Sequence, residues 1–135
     1  PGLYLWGGEP TVRLPARPGR GGRCQSLALA AALAMRRGEP LVLLAAGTDG
    51  TDGPGDAAGA VVDPETVSRG TARGLNAQRC LENADAGTFL AASDDLVITG
   101  PTGTNVTDIV LALKPCIRIP VSERADRIRW NKRTR

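Results

Sequence analysis

Histidine is absent from this 135-residue sequence, and lysine occurs only as Lys114 and Lys132. Without histidine there is no Ser-His-Asp or Cys-His nucleophile arrangement, and a zinc site is all but excluded. Cysteine is scarce as well. Cys24, Cys80 and Cys116 form an odd set with no C-x-x-C pair, which fits a reduced, cytoplasmic compartment. Aromatic residues make up 3% of the chain. Alanine and glycine take their place, which favours closely packed helices and Gly-rich loops over an aromatic-cored sandwich. The longest apolar run, Leu27–Met35, falls far short of a membrane span, so no membrane partner is expected. No basic segment followed by an apolar one marks a signal peptide. The chain opens on Pro1-Gly2-Leu3-Tyr4 without an initiator methionine and reads as the C-terminal part of something longer.

What remains is unevenly charged. The formal net charge is +3, yet residues 115–135 hold seven basic side chains against two acidic ones, leaving ten against twelve before them. The globular part is therefore mildly acidic. The basic excess lies in a tail that reads as poorly ordered or foreign, with Trp130 its only aromatic. That distribution, and the lack of an RNA-binding signature, argue against a nucleic-acid partner.

The length suits one core, placed in residues 1–114. Leu3–Trp6 and Thr11–Leu14 read as two strands joined by a hairpin turn at Gly7-Gly8-Glu9-Pro10. An Ala/Leu-rich helix is expected over Gln25–Arg37, with a basic last turn and Gly38 as its stop. Leu41–Ala46 is a continuous apolar run, as in a parallel-type strand buried on both faces. A helix is expected from Asp63 or Pro64 to about Arg73, and short helices near Ala77–Asn83 and Thr88–Ala92. Strands follow at Leu96–Ile98 and Val106–Leu113. The alternation predicts an α/β domain, a mixed sheet with helices packed on it.

Three loops can carry chemistry. Gly19-Arg20-Gly21-Gly22-Arg23 precedes the long helix. Helix N-termini attract anions, and the planar fork of Arg23 suits a carboxylate or phosphate; the plainer reading is a flexible turn. Gly47-Thr48-Asp49-Gly50-Thr51-Asp52-Gly53-Pro54-Gly55-Asp56 follows the apolar strand. Asp49 or Asp52 suits Mg²⁺ through one carboxylate and phosphate oxygens. Alternatively the aspartates close turns and cap helices, Asp56 ahead of Ala57-Ala58 among them. Thr99-Gly100-Pro101-Thr102-Gly103-Thr104-Asn105 offers backbone N–H groups, flexible glycines and hydroxyls able to point inward together. It is neither a Walker A loop nor a G-x-G-x-x-G fingerprint, and it exceeds the need of a hairpin turn. Arginine, Gly-rich backbone and Mg²⁺ are the inventory of phosphoryl transfer rather than hydrolysis.

Taken in order, Gly7-Gly8-Glu9, Gly19-Arg-Gly-Gly-Arg23, Gly47-Thr-Asp-Gly-x-Asp-Gly-Pro54, Asp56-Ala-Ala-Gly-Ala60 and Thr99–Asn105 resemble the MOFRL domain, the C-terminal domain of class II glycerate kinases. The resemblance covers Leu3 to Leu113. It implies ATP- and Mg²⁺-dependent phosphorylation of glycerate at its 2-hydroxyl, in a cleft shared with an N-terminal domain that this chain lacks and that carries the family's proposed catalytic lysine. It places the family's important arginine on Arg23. Substrate or phosphate binding would fall on Gly21, Gly22, Thr48, Asp49, Gly50, Thr99, Gly100, Thr102, Gly103, Thr104 and Asn105. The isolated chain would then be inactive, or a binding or scaffold module. Similar sequences are also labelled hydroxypyruvate reductase. Two departures stand out: Cys24-Gln25-Ser26 where the family has Asn-Gln-Glu, and Asn83-Ala84-Asp85-Ala86 for its Asn-Asn-Asp-Ser.

Overall fold

The computed structural model describes residues 1–116. The tail expected from Pro115 onward lies, but for its first two residues, outside the described residues.

Five strands form one sheet, β1 (Gly2–Gly7), β2 (Val42–Gly47), β3 (Gly59–Val62), β4 (Leu96–Val97) and β5 (Asp108–Lys114), in the order β1-β5-β2-β3-β4. The helices are α1 (Arg23–Ala34), α2 (Thr66–Ala72), α3 (Ala77–Glu82) and α4 (Ala86–Ala92). The α/β class and the packing of helices on a sheet are as expected. The sheet itself is not mixed: every pairing is antiparallel, so β2 is no parallel-type strand.

Side-chain alternation divides the sheet. Leu43, Ala45, Ala60, Val62, Leu96 and Val110 enter a core with Leu29 of α1 and with Phe89 and Leu90 of α4. Phe89 and Leu90 are wholly buried, each contributing about 2–3 kcal/mol. The alternate positions, Leu3 and Leu5 of β1, Leu44 of β2, Val61 of β3 and Leu111 and Leu113 of β5, lie outside that cluster. Among the described residues the helices therefore cover one face, not both. Leu3 and Leu5 are each two-thirds exposed.

Several boundaries differ from expectation. Thr11–Leu14 forms no strand; β1 is an edge strand that pairs with β5, in register from Gly2↔Lys114 to Gly7↔Ile109. Helix α1 ends at Ala34: Met35 turns extended and packs against the core, so Arg36 and Arg37 lie beyond the helix. Helix α2 starts at Thr66, after a turn in which Glu65 N–H donates to Asp63 Oδ1 (2.7 Å) and Asp63 N–H to Thr66 Oγ1 (3.0 Å). Helix α4 starts two residues early, at Ala86. Strand β3 was not anticipated; it occupies Gly59–Val62 directly after Ala57-Ala58, so Asp56 caps no helix. Opposite the end described next, Arg69 of α2 ties Asp63, Asp95 and the Ser93 carbonyl together.

Candidate functional site

The register brings the three loops to one end of the sheet. Gly47 pairs with Asp108, Ala46 with Gly59, and Gly59 with Val97. The C-termini of β1, β2 and β4 thus share that end with the N-termini of β3, β5 and α1. The third loop must pass from the edge strand β4 over β3 and β2 to β5, roughly 14 Å at the usual strand spacing. That crossing accounts for its length.

The second loop lies between the other two and binds both. Toward α1, the Asp52 carboxylate accepts the backbone N–H groups of Cys24 (2.9 Å) and Gln25 (2.7 Å). The Gln25 side-chain amide returns bonds to Asp52 Oδ2 (3.0 Å) and O (2.9 Å). Asp52 is 5% exposed. The anion expected at this helix N-terminus is therefore supplied by the protein itself, a cap from a distant loop. Gly22 is required for the contact, since a Cβ there would stand 2.4 Å from Asp52. The polar network at the helix start survives the departures at Cys24 and Ser26 because Gln25 and Asp52 carry it.

Toward the third loop, Thr48 Oγ1 donates to the Thr107 carbonyl (2.8 Å) and accepts Val106 N–H (3.0 Å). Thr102 Oγ1 donates to the Thr48 carbonyl (2.5 Å), and Thr102 N–H to the Asp49 carbonyl (3.2 Å). The hydroxyls of Thr48 and Thr102 are spent on backbone, fastening loop to loop, while Thr99 Oγ1 donates to the neighbouring Gly100 carbonyl (2.8 Å). Gly50 sits at φ +90°, where a Cβ would meet the Gly100 carbonyl at 2.1 Å. Gly103, Thr104 and Asn105 lie farther out and are exposed. The first loop is held on its other side by Asp85, which accepts Arg20 N–H (2.8 Å), while Gly87 N–H donates to the Arg20 carbonyl (2.8 Å). Gly21 and Gly22 thus line a tightly packed seam.

Arg23, the first residue of α1, carries an exposed positive charge at this end. Its Nη2 lies 3.1 Å from Asp108 Oδ2 and its Nη1 3.4 Å from Glu9 Oε2. Asp108 is the more important pairing: its charge is the main reason that the guanidinium is held still more firmly protonated than usual. Asp108 and Glu9 were missed as site residues. An acid at the head of an apolar strand, Asp108-Ile-Val-Leu, was the available signal. Buried Cys24 is an inert thiol, its pKa pushed up first by burial and then by Asp52 and Asp108.

Asp49 is held below the usual carboxylate range, chiefly by the Thr51 N–H that it accepts at 2.9 Å, with Arg23 adding a smaller effect. It remains an anion at neutral pH. Among the described residues no three His, Cys, Asp or Glu side chains gather as a metal cage, and no helix is long and apolar enough to cross a membrane. Mg²⁺ bound through one carboxylate and phosphate oxygens needs no cage. Asp49 fits that single-ligand role; Asp52, occupied by α1 amides, does not.

The comparisons agree with this architecture. The chain is 47% identical over 113 residues to the D-glycerate 2-kinase of Thermotoga maritima, covering 84% of this chain and 27% of that protein. A putative hydroxypyruvate reductase of Agrobacterium vitis is 44% identical over 110 residues, covering 81% and 29%. The crystal structure of a Thermotoga maritima glycerate kinase superposes with a TM-score of 0.81 at 46% identity, over 85% of this chain and 28% of that one. The chain thus spans between a quarter and a third of the length of these relatives. The model of the MOFRL family matches residues 2–108, and the chain belongs to that family.

Proposed function

We propose that this chain forms one wall of the active-site cleft of a glycerate 2-kinase, an enzyme that moves the γ-phosphoryl group of ATP to the 2-hydroxyl of glycerate. The observation that carries the reading is the meeting of all three loops at one end of the sheet, tied together through Asp52 and Thr48, with Arg23 at the head of α1 held there by Asp108. Arg23 offers its fork to the substrate carboxylate or to the phosphoryl group in transfer. The backbone N–H groups of Gly100, Gly103 and Asn105, in a loop stiffened by Thr48 and Thr102, stabilise charge on the phosphate oxygens. Asp49 would hold Mg²⁺, which when bound neutralises negative charge developing on the phosphates. The opposite wall would lie in the part of the relatives' length that this stretch does not span. The free cysteines fit a cytoplasmic setting.

The test joins this chain to the remaining part of the Thermotoga D-glycerate 2-kinase and follows ATP-dependent phosphorylation of racemic glycerate. The chimera turns over, and Arg23→Ala lowers kcat/KM by roughly a hundredfold, the order expected for losing a charged contact to the reacting group. Full activity in Arg23→Ala would refute the assignment. Hydroxypyruvate reduction is the second reading, favoured by the name that two of the relatives carry. The sequence of this chain holds no G-x-G-x-x-G stretch. NADH-dependent consumption of hydroxypyruvate by the chimera would establish that reading instead.

A further inference from the structure

The two carboxylates on Arg23 are unlike. Asp108 opens β5, directly opposite Gly47 in the β2 ladder, and its carbonyl accepts Gly8 N–H at 3.1 Å. Its side chain is 8% exposed; Oδ1 accepts Arg23 Nη2 at 3.3 Å, and the buried Oδ2 lies 3.1 Å from the same nitrogen, so both oxygens face one arm of the fork. Gly47 is required by the second loop rather than by Asp108: a Cβ there would stand 2.4 Å from the Thr51 carbonyl but in ordinary contact, 3.5 Å, with Asp108 Oδ1. Glu9 sits in the exposed loop after β1, its side chain 64% exposed, 3.4 Å from the other arm of the fork. One carboxylate is built into the sheet; the other is solvated and free to leave.

We propose that Asp108 is a positioning residue that fixes Arg23 through Nη2, and that Glu9 occupies Nη1 as a placeholder which the anionic group of the substrate displaces. This rests on the kinase reading above. Buried carboxylates grip an arginine firmly, whereas an exposed pair is worth so little that a competing anion removes it. Freezing the guanidinium before substrate arrives removes an ordering cost from binding.

A double-mutant cycle in the chimera tests the proposal. Asp108→Asn, which keeps the shape, lowers kcat/KM at least tenfold in the presence of Arg23. In the Arg23→Ala background the same change costs less than twofold. A merely structural Asp108 would give equal losses in both backgrounds, which would overturn the positioning role. Glu9→Gln lowers KM for glycerate about two- to fivefold; an unchanged or raised KM overturns the placeholder. Should the wild-type chimera not turn over, the kinase reading fails, and positioning is read on the 135-residue chain itself. Its Arg23 Nη nuclear magnetic resonance signals are then separate in the wild type and averaged in Asp108→Asn. Identical signals in both would overturn the proposal.

Discussion

At the N-terminus of α1 the carboxylate of Asp52 does what an external anion would otherwise do, accepting two orphan amides from a loop 28 residues away. Removing it leaves those amides and the Gln25 side chain without their acceptor. Asp52→Ala is expected to destabilise the fold by about 2 kcal/mol, measured by denaturant unfolding. Two other aspartates shift in opposite directions from the ordinary value of 3.8. Asp49 is lowered, first by the Thr51 backbone N–H, so the stability that it contributes is present above 3.8 and lost as pH falls through its folded value. Asp95 is raised, burial outweighing the help of Ser93 and Arg69, so its contribution runs the other way: stability declines as pH climbs from 3.8 through its folded value. Carboxyl resonances followed from pH 2 to 8 should place the Asp49 midpoint below 3.8 and the Asp95 midpoint above it. Of the site residues, Arg23 was legible because a basic fork beside glycines and a helix start has a chemical meaning. Asp108 was not, because its burial follows from a cross-strand register that no local pattern displays.

Among the elements, the loop pair deserves the sharpest test. Gly50 combines φ +90° with a Cβ position 2.1 Å from the Gly100 carbonyl, whereas a Cβ at Gly103 would stand in open space at φ +76°. Gly50→Ala should therefore cost more than about 2 kcal/mol and part the second loop from the third, while Gly103→Ala should cost about 1 kcal/mol for its backbone alone. Thermal unfolding of the two variants compares them. The apolar runs of β2 and β5 and the Ala/Leu pattern of α1 were readable in sequence because burial imposes them. Strand β3 was hidden because Gly59-Ala60 carry little strand preference. Thr11–Leu14 misled because it has the composition of a strand and no neighbour to pair with. The third loop is longer than a turn needs because sheet order makes it cross two strands.

For the whole molecule, the described residues leave one face of the sheet without helices, where Leu3 and Leu5 of β1 are more than half exposed beside Leu113 of β5; Tyr4 and Trp6, also more than half exposed, belong to the other face of that edge strand. An apolar area of this kind exceeds the scattered residues usual on a monomer surface. The isolated chain should enhance the fluorescence of a hydrophobic dye while natively folded, and Leu3→Glu with Leu5→Glu should abolish much of that signal; no dye binding by the wild type would contradict this view of the face. The family resemblance was legible because five short motifs occur in a fixed order, although each alone is weak. The antiparallel sheet and its single covered face were not, since pairing partners are chosen by tertiary contacts. The central claim is that this end of the sheet is half of a glycerate 2-kinase site. Its most direct test is phosphorus nuclear magnetic resonance on the chimera incubated with racemic glycerate, ATP and Mg²⁺. The account predicts that 2-phosphoglycerate accumulates and that Arg23→Ala nearly abolishes it; product formed at the 3-hydroxyl, or 2-phosphoglycerate formed equally well without Arg23, would contradict it.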